Sequence, residues 1–297
     1  MDTYQRNRIY SLVVGTEEDA VEINNLNIRF NIVKTSSNKD KKNNAYVEIF
    51  NLSESRRKAL EEDYVQVSLK VGYSDTGLKE LFSGQVVNVS TTEIDPFLTK
   101  RQGTDLITRL TIDELYERLN AQAIKGLIPA GKTVKDVINF VSNYLPEVAR
   151  KDISGEKVKT SLIDGYPISG TPRKILDDLS KAYGIEWQID MGVLYVSDED
   201  GNSDNKQEVY SVGQFSGLIE RPEFISNDSK KIKKKNKNKK DNLKFKILLN
   251  PEIIAGSIIK LEFEDLTGYY RVSEVTHAGE FRGTQWYSTI IARQKVD

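Results

Sequence analysis

The sequence predicts a β-rich α+β protein: two similar antiparallel β-barrel-like domains flanking a small α/β module. Three observations lead there. The first and last thirds alternate apolar and polar residues with period two, as half-buried strands do. The middle third switches to helical periodicity. The last third then repeats the order of elements of the first. The boundaries that follow are 1–116 for the first β domain, 117–203 for the module with its polar linker, and 204–297 for the second β domain.

In the first domain, Leu26 to Ile32, Val65 to Val71 and, more loosely, Leu106 to Ile112 read as strands with one apolar face. Ser53 to Leu60 reads as a short helix with Ser53 as N-cap. In the module, Val134, Val137, Ile138, Val141 and Leu145 share one helical face, and Pro146 ends the run. A second helix opens on Thr171 and Pro172, points Ile175, Leu176 and Leu179 inward, and stops at Gly184. Ile185–Ile189 and Val193–Val196, joined through Asp190-Met191-Gly192, form a β-hairpin. Ser197 to Gln207 is a linker by composition.

The repeat rests on matched stretches. Phe30–Val33, a Lys/Asn loop and Ala45–Leu52 correspond to Glu223–Ile225, a second Lys/Asn loop and Leu243–Pro251. Further equivalences place Asn51 with Asn250, Val86 with Val272 and Gly103 with Gly283. Duplication is the reading preferred here, and the alternative is two unrelated antiparallel β domains.

Composition narrows the function. A formal net charge of -1 leaves no global field to recruit nucleic acid or an anionic membrane. The absence of cysteine removes disulfides, thiolate metal sites and cysteine nucleophiles together. A single histidine, His277, excludes His-pair catalysis and histidine-rich metal sites, and alone beside a strand it reads as structural. No apolar run approaches a membrane span and the N-terminus lacks a signal-peptide layout, so folding in a cytoplasm is expected. The 44 Asp and Glu residues are scattered, and none forms a pair suited to general acid–base work. Trp187 and Trp286 read as core or interface residues. The residues therefore give no catalytic site, no cofactor and no metal site.

Gly126 to Thr133 matches G-x-x-x-x-G-K-[ST] literally. A nucleotide loop of that kind wraps phosphates in backbone N–H groups between a buried parallel strand and a helix. Here Leu119 to Lys125 is too polar for that strand, so Gly131 and Lys132 read as a turn and Thr133 as the helix cap. The basic runs are the remaining candidate contact loops. The first holds Lys39, Lys41 and Lys42; the second holds Lys230, Lys231, Lys233, Lys234, Lys235, Lys237, Lys239 and Lys240, eight lysines in eleven residues. A run of this kind is by default a solvated loop. Without arginine or aromatic residues inside it, sequence-specific nucleic-acid reading is disfavoured.

Tyr46 to Ser53, Leu69 to Tyr73 and Leu81 to Val86 resemble the start of contractile-phage baseplate hub proteins, which have relatives in type VI secretion spikes. The resemblance continues at Thr133 to Ile138, Gly170 to Val196, Leu248 to Pro251, Gly268 to Val272 and Trp286 to Thr289. It departs at the Lys/Asn insertion at 228–242. It implies a non-enzymatic structural protein of the virion tail, assembled in the host cytoplasm: a homotrimer on the tail axis with two tube-like barrels per chain. Its partners would be the hexameric tail tube ring, the central spike, and a tape measure protein or DNA passing the lumen, with no membrane insertion. Three chains with two repeats each would let a threefold object meet a sixfold one. The basic loops would project toward the next ring or the lumen, with inter-ring contact preferred. The readings from other classes are a P-loop nucleotide-binding enzyme and a carbohydrate- or receptor-binding tail protein.

Overall fold

A computed structural model describes residues 7–16, 19–36, 44–60, 65–94, 105–113, 119, 122–146, 148–199, 209–225 and 242–294. The first β unit contains β1 (Arg8–Gly15), β2 (Ala20–Ile23), β3 (Ile28–Thr35), β4 (Asn44–Phe50), α1 (Glu54–Ala59), β5 (Gln66–Tyr73), β6 (Gly77–Ile94) and β7 (Asp105–Asp113). The middle unit contains β8 (Ile124–Ile128), α2 (Val134–Ser142), β9 (Arg150–Ile153), β10 (Tyr166–Gly170), α3 (Pro172–Tyr183), β11 (Ile185–Asp190) and β12 (Val193–Asp198). The last contains β13 (Val209–Gly213), β14 (Leu218–Ile225), β15 (Asn242–Leu248), β16 (Ile258–Glu262), β17 (Gly268–Glu280) and β18 (Trp286–Gln294).

The two β units do not form separate closed barrels. β17 pairs with β3 and fuses them into one 13-stranded sheet, whose path runs β14-β15-β18-β17-β3-β4-β7-β6-β5-β1-β2 with β16 and β13 branching from β17. The cause lies in β17, whose first residues pair with β16 and whose last residues, Glu274 to Glu280, pair with Thr35 to Arg29 of β3. Among the described residues, three hydrophobic cores form. One centres on Leu12, Phe30, Val47, Leu69 and Leu110, one on Val137, Ile138, Leu179 and Leu194, and one on Phe245, Ile259, Val275 and Ile290. Leu249 and Trp286 cross from the last unit into the first core.

Pairing order repeats between the β units: β3-β4-β7-β6-β5 in the first, β14-β15-β18-β17-β16 in the last. The match extends to irregularities. β6 takes a one-residue bulge against β7 between Val86 and Asn88, and β17 takes one against β18 between Val272 and Glu274. Val86 N–H donates to Val65 O at 2.9 Å, and Val272 N–H donates to Ser257 O at 2.9 Å. Val86 and Val272 thus hold the same place. Asn51 does not match Asn250: Asn51 N–H donates to Leu106 O and Leu249 N–H to Trp286 O, which puts Asn51 opposite Leu249, one residue earlier. Gly103 lies outside the described residues. The first strands also differ, β1 running antiparallel to β5 and β13 parallel to β16.

In the middle unit both helix starts are as the sequence predicts. Thr133 and Asp136 form a capping box, and Thr171 accepts from Lys174 N–H ahead of Pro172. Gly184 ends α3 in the left-handed region at φ 65. Met191 and Gly192, at φ 53 and 70, make the two-residue hairpin turn between β11 and β12. Ser53 stands at the start of α1 in extended conformation, but its side chain makes no capping hydrogen bond. The supposed linker begins later than its composition suggests. Ser197 and Asp198 belong to β12 and are buried, and the Asp198 carboxylate accepts from Glu156 and Lys157 N–H at 2.9 and 3.1 Å.

Candidate assembly interface

The P-loop look-alike is occupied by its own backbone. Gly126 lies in β8, which pairs antiparallel with β10 in a two-stranded ribbon. Gly131 N–H donates to Leu162 O at 2.9 Å and Val134 N–H to Thr160 O at 3.1 Å, while the Asp136 carboxylate accepts from Thr133 N–H at 2.8 Å. Those bonds to Thr133 hold the Asp136 carboxyl below the usual carboxylate range. The amides and helix start that a phosphate would need are therefore already bonded, and a carboxylate stands among them.

Between the middle unit and the last β unit lies a cavity of about 350 Å³, lined by Arg150, Asp152, Glu186, Gln188, Tyr195 and Arg271 among others. Its walls are a docking joint. Buried Glu186 lies 3.7 Å from Arg271 and pairs with Arg293, Arg271 donates to Ser197 Oγ at 2.6 Å, and Gln188 donates to Ala255 O. Nearby, Lys34 Nζ meets Asp190 at 2.6 Å with both side chains largely buried. Such pairs fix orientation more than they stabilise. Period two already placed Lys34 on the core face with Phe30 and Ile32, a signal that it needed a buried partner. Among the described residues no cluster of His, Asp and Glu is placed to hold a metal.

His277 is fully buried on β17 and satisfied at both nitrogens. Ser288 Oγ donates to Nδ1 at 2.8 Å, Nε2 donates to Ile253 O at 3.1 Å, and Asn250 N–H donates to Ser288 Oγ at 3.1 Å. Burial, reinforced by the charge of Lys34, pushes its pKa down to about 3. It is a neutral clip that ties the 250–253 turn to the sheet.

Among the described residues, what remains without a partner is backbone edge. The second half of β17 is covered by β3, and its residues Glu274, His277 and Ala278 are buried. The equivalent half of β6, Asn88 to Ile94, pairs with β7 on one side and, among the described residues, with nothing on the other. Asn88, Ser90, Thr91, Thr92 and Glu93 are exposed there. Likewise β3 is covered on both sides, whereas its counterpart β14 pairs, among the described residues, only with β15 and leaves Ile219 and Phe224 exposed at 46% and 60%. Two complementary edges are thus open, each equivalent to one that is closed within the chain.

The sheet face turned away from the cores is polar and charge-paired: Arg29 meets Glu48 at 3.3 Å and Glu280 at 3.6 Å, and Arg109 meets Glu48 at 3.8 Å and lies 3.7 Å over the Tyr46 ring. The lysines singled out in the sequence, Lys39 to Lys42 and Lys230 to Lys240, all lie outside the described residues. Their flanks are described. The first run lies between the paired residues Val33 and Asn44, the second between the paired residues Ile225 and Asn242. Among the described residues no helix is long and apolar enough to cross a membrane.

No family model and no curated protein sequence matches the chain. Solved structures do match over nearly its whole length. The 43 kDa tail protein of prophage MuSo2 from Shewanella oneidensis aligns with a TM-score of 0.62 at 10% identity, covering 96% of this chain and 97% of that one. A tail protein from Neisseria meningitidis aligns at 0.61 and 11% identity, covering 97% of each. A type VI secretion component of E. coli, described as similar in structure to bacteriophage tail proteins, aligns at 0.58 and 8% identity over 91% of this chain and 74% of that one. The chain shares the fold of phage tail proteins and of this secretion component, in line with the resemblance its sequence carries.

Proposed function

We propose that the chain is a tail hub subunit: a structural protein, without a catalytic step, whose three copies close a ring between the hexameric tail tube and the trimeric central spike. The observation that carries this reading is the closed β17–β3 junction beside its two open counterparts, β6 and β14. If the β units are duplicates, β14 of one copy adds to β6 of the next as β3 adds to β17 within the chain. The register follows: His277 pairs with Ile32, and the equivalent residues are Thr91 and Phe224. Each junction then looks alike, and a threefold ring presents six similar units to the tube. Exposed strand edges that otherwise invite aggregation are consumed by closure.

In this reading the barrel-like character belongs to the assembled ring. The charge-paired face carrying Arg29, Glu48 and Arg109 lines the lumen, because the opposite face is already covered by the cores and outer strands. The two lysine loops leave the sheet at equivalent hairpins and meet an acidic edge of the next ring. A lumen with paired charges suits passage of DNA or a tape measure protein, which tight binding would hinder.

The chain contains no cysteine, so a designed pair reports the junction without background. Thr91→Cys combined with Phe224→Cys should yield covalent oligomers up to a trimer under mild oxidation, and neither single variant should do so. Light scattering should find the trimer at high concentration or on addition of the spike protein. A chain that stays monomeric in both conditions, or a cysteine pair that never links assembled chains, overturns the proposal.

A further inference from the structure

β11 is buried on both faces, and the two faces differ in chemistry. Ile185, Trp187 and Ile189 enter the core of the middle unit, while the alternate residues Glu186, Gln188 and Asp190 are buried against the β units. Period two puts these three polar side chains in one row. Each meets a different part of the sheet. Glu186 pairs with Arg271 of β17 and Arg293 of β18, Gln188 donates to the Ala255 carbonyl, and Asp190 pairs with Lys34 of β3. At the hairpin turn that follows, Ser83 Oγ of β6 donates to Met191 Sδ at 3.8 Å. The row therefore reaches both β units, on either side of the β17–β3 junction.

The bodies that meet along this row are held by different forces. The first and last β units share a strand ladder, and Leu249 and Trp286 of the last unit pack into the core of the first. The middle unit has its own core. Among the described residues, it takes no buried apolar side chain from the β units and lends none to theirs. Where it meets the last unit, the cavity of about 350 Å³ stands in place of close packing, with Arg150, Asp152, Glu186 and Arg271 on its walls. Parting these surfaces exchanges protein hydrogen bonds for bonds to water and uncovers little apolar surface. The buried ion pairs fix orientation, but desolvation offsets much of their attraction.

We propose that the middle unit is a hinged arm, latched to the rigid pair of β units by the Glu186, Gln188 and Asp190 row and released from them as a folded piece. Three polar partners at fixed places define one docked orientation, and their small net stabilisation makes docking reversible. An interface dominated by polar contacts is the kind across which domains move. Release leaves the β17–β3 ladder and its shared core untouched, so the arm moves while the sheet stays paired. The inference stands on contacts within one chain and does not depend on the ring reading.

Because the chain has no cysteine, pairs introduced at exposed positions carry spin labels without background. Ile163→Cys with Phe215→Cys reads the middle unit against the last, and Asp75→Cys with Phe215→Cys reads the first against the last. Pulsed dipolar EPR is recorded on the full chain diluted into unlabelled protein, so that only distances within one chain count. In the combined Glu186→Gln, Asp190→Asn variant, the 163–215 distance distribution should broaden about twofold or more while the 75–215 distribution keeps its width. A folded variant with an unchanged 163–215 width overturns the arm. So does broadening of both distributions, because the middle unit is then a clamp that holds the β units together. If this variant does not fold, the wild type decides the matter in urea below its unfolding midpoint, where the 163–215 distribution should broaden before the 75–215 distribution. Broadening of the two together, or in the reverse order, makes the three units one cooperative body and overturns the proposal.

Discussion

The single histidine makes the pH dependence of this fold calculable. His277 has a folded-state pKa of about 3 against 6.5 for the free side chain. Between those values the unfolded chain binds a proton that the folded chain does not. Its contribution is therefore complete above about pH 6.5 and is lost as pH falls toward 3. Each pH unit inside that window costs ~1.4 kcal/mol, so moving from pH 7.5 to 5.0 removes about 2 kcal/mol. Protonation would also break the Ser288 Oγ–H bond to Nδ1, which ties the 250–253 turn to β17 through Ser288 and Asn250.

The assay is urea unfolding at fixed protein concentration, at both pH values, for the wild type and His277→Gln. Carboxylates titrate in the same range, and Asp177, whose carboxyl burial pushes up, acts in the opposite direction. The variant supplies that background. The wild type should lose about 2 kcal/mol more than the variant between pH 7.5 and 5.0. Because no other histidine is present, the ring protons can also be followed directly by NMR in the folded protein. A native imidazole that titrates with a midpoint near 6.5 would refute the reasoning, whether or not the variant folds.

Gly279→Ala should destabilise by roughly 1–3 kcal/mol in thermal or urea unfolding, because a Cβ there would stand 2.3 Å from the Phe30 ring and 2.9 Å from Trp286. Thr133→Ala should cost about 1 kcal/mol through loss of the capping box. Lys132→Ala should leave the melting temperature unchanged, and millimolar ATP with magnesium should shift neither protein; a nucleotide-dependent rise that vanishes in Lys132→Ala would reverse the reading of this loop. Deleting residues 230–240 should leave the chain folded but weaken its attachment to the tail tube in a salt-dependent way, seen in pull-down at low and physiological salt.

The sequence exposed the elements whose physics is local. Thr133, Thr171, Pro172 and Gly184 mark helix ends because capping groups sit within a turn of what they cap. The core strands alternate because one face packs and the other does not. Three things were not legible for a common reason: they depend on partners far along the chain. The β17–β3 junction joins residues some 240 positions apart, and nothing in either strand announces the other. Glu186 and Arg271 look like polar-face strand residues until the middle unit docks against the last. Asp198 sits in a run that reads as linker, yet its carboxylate caps the 156–157 turn. The β8–β10 ribbon was not legible because five-residue strands, of which β8 buries only its two ends and β10 only Ile168, carry almost no alternation.

In the ring proposed above, the open edges bear on how a subunit would wait for its partners. An uncovered strand is a template for any other strand, so a monomer in which β6 and β14 both present such an edge needs protection against wrong pairing. Both edges carry it, by different means. β14 holds Glu220, Arg221, Pro222 and Glu223 in sequence and its register against β15 shifts twice, so its outer edge is charged and uneven. β6 offers Asn88, Ser90, Thr91 and Thr92, polar side chains that supply little apolar area to a casual partner. Such edges pair weakly on backbone hydrogen bonds alone. Where β14 of one copy adds to β6 of the next, as proposed, Phe224 comes opposite Thr91. In the proposed ring a correct neighbour closes both edges of a subunit at once, so a wrong partner that covers a single edge gains only part of the pairing and stays weak.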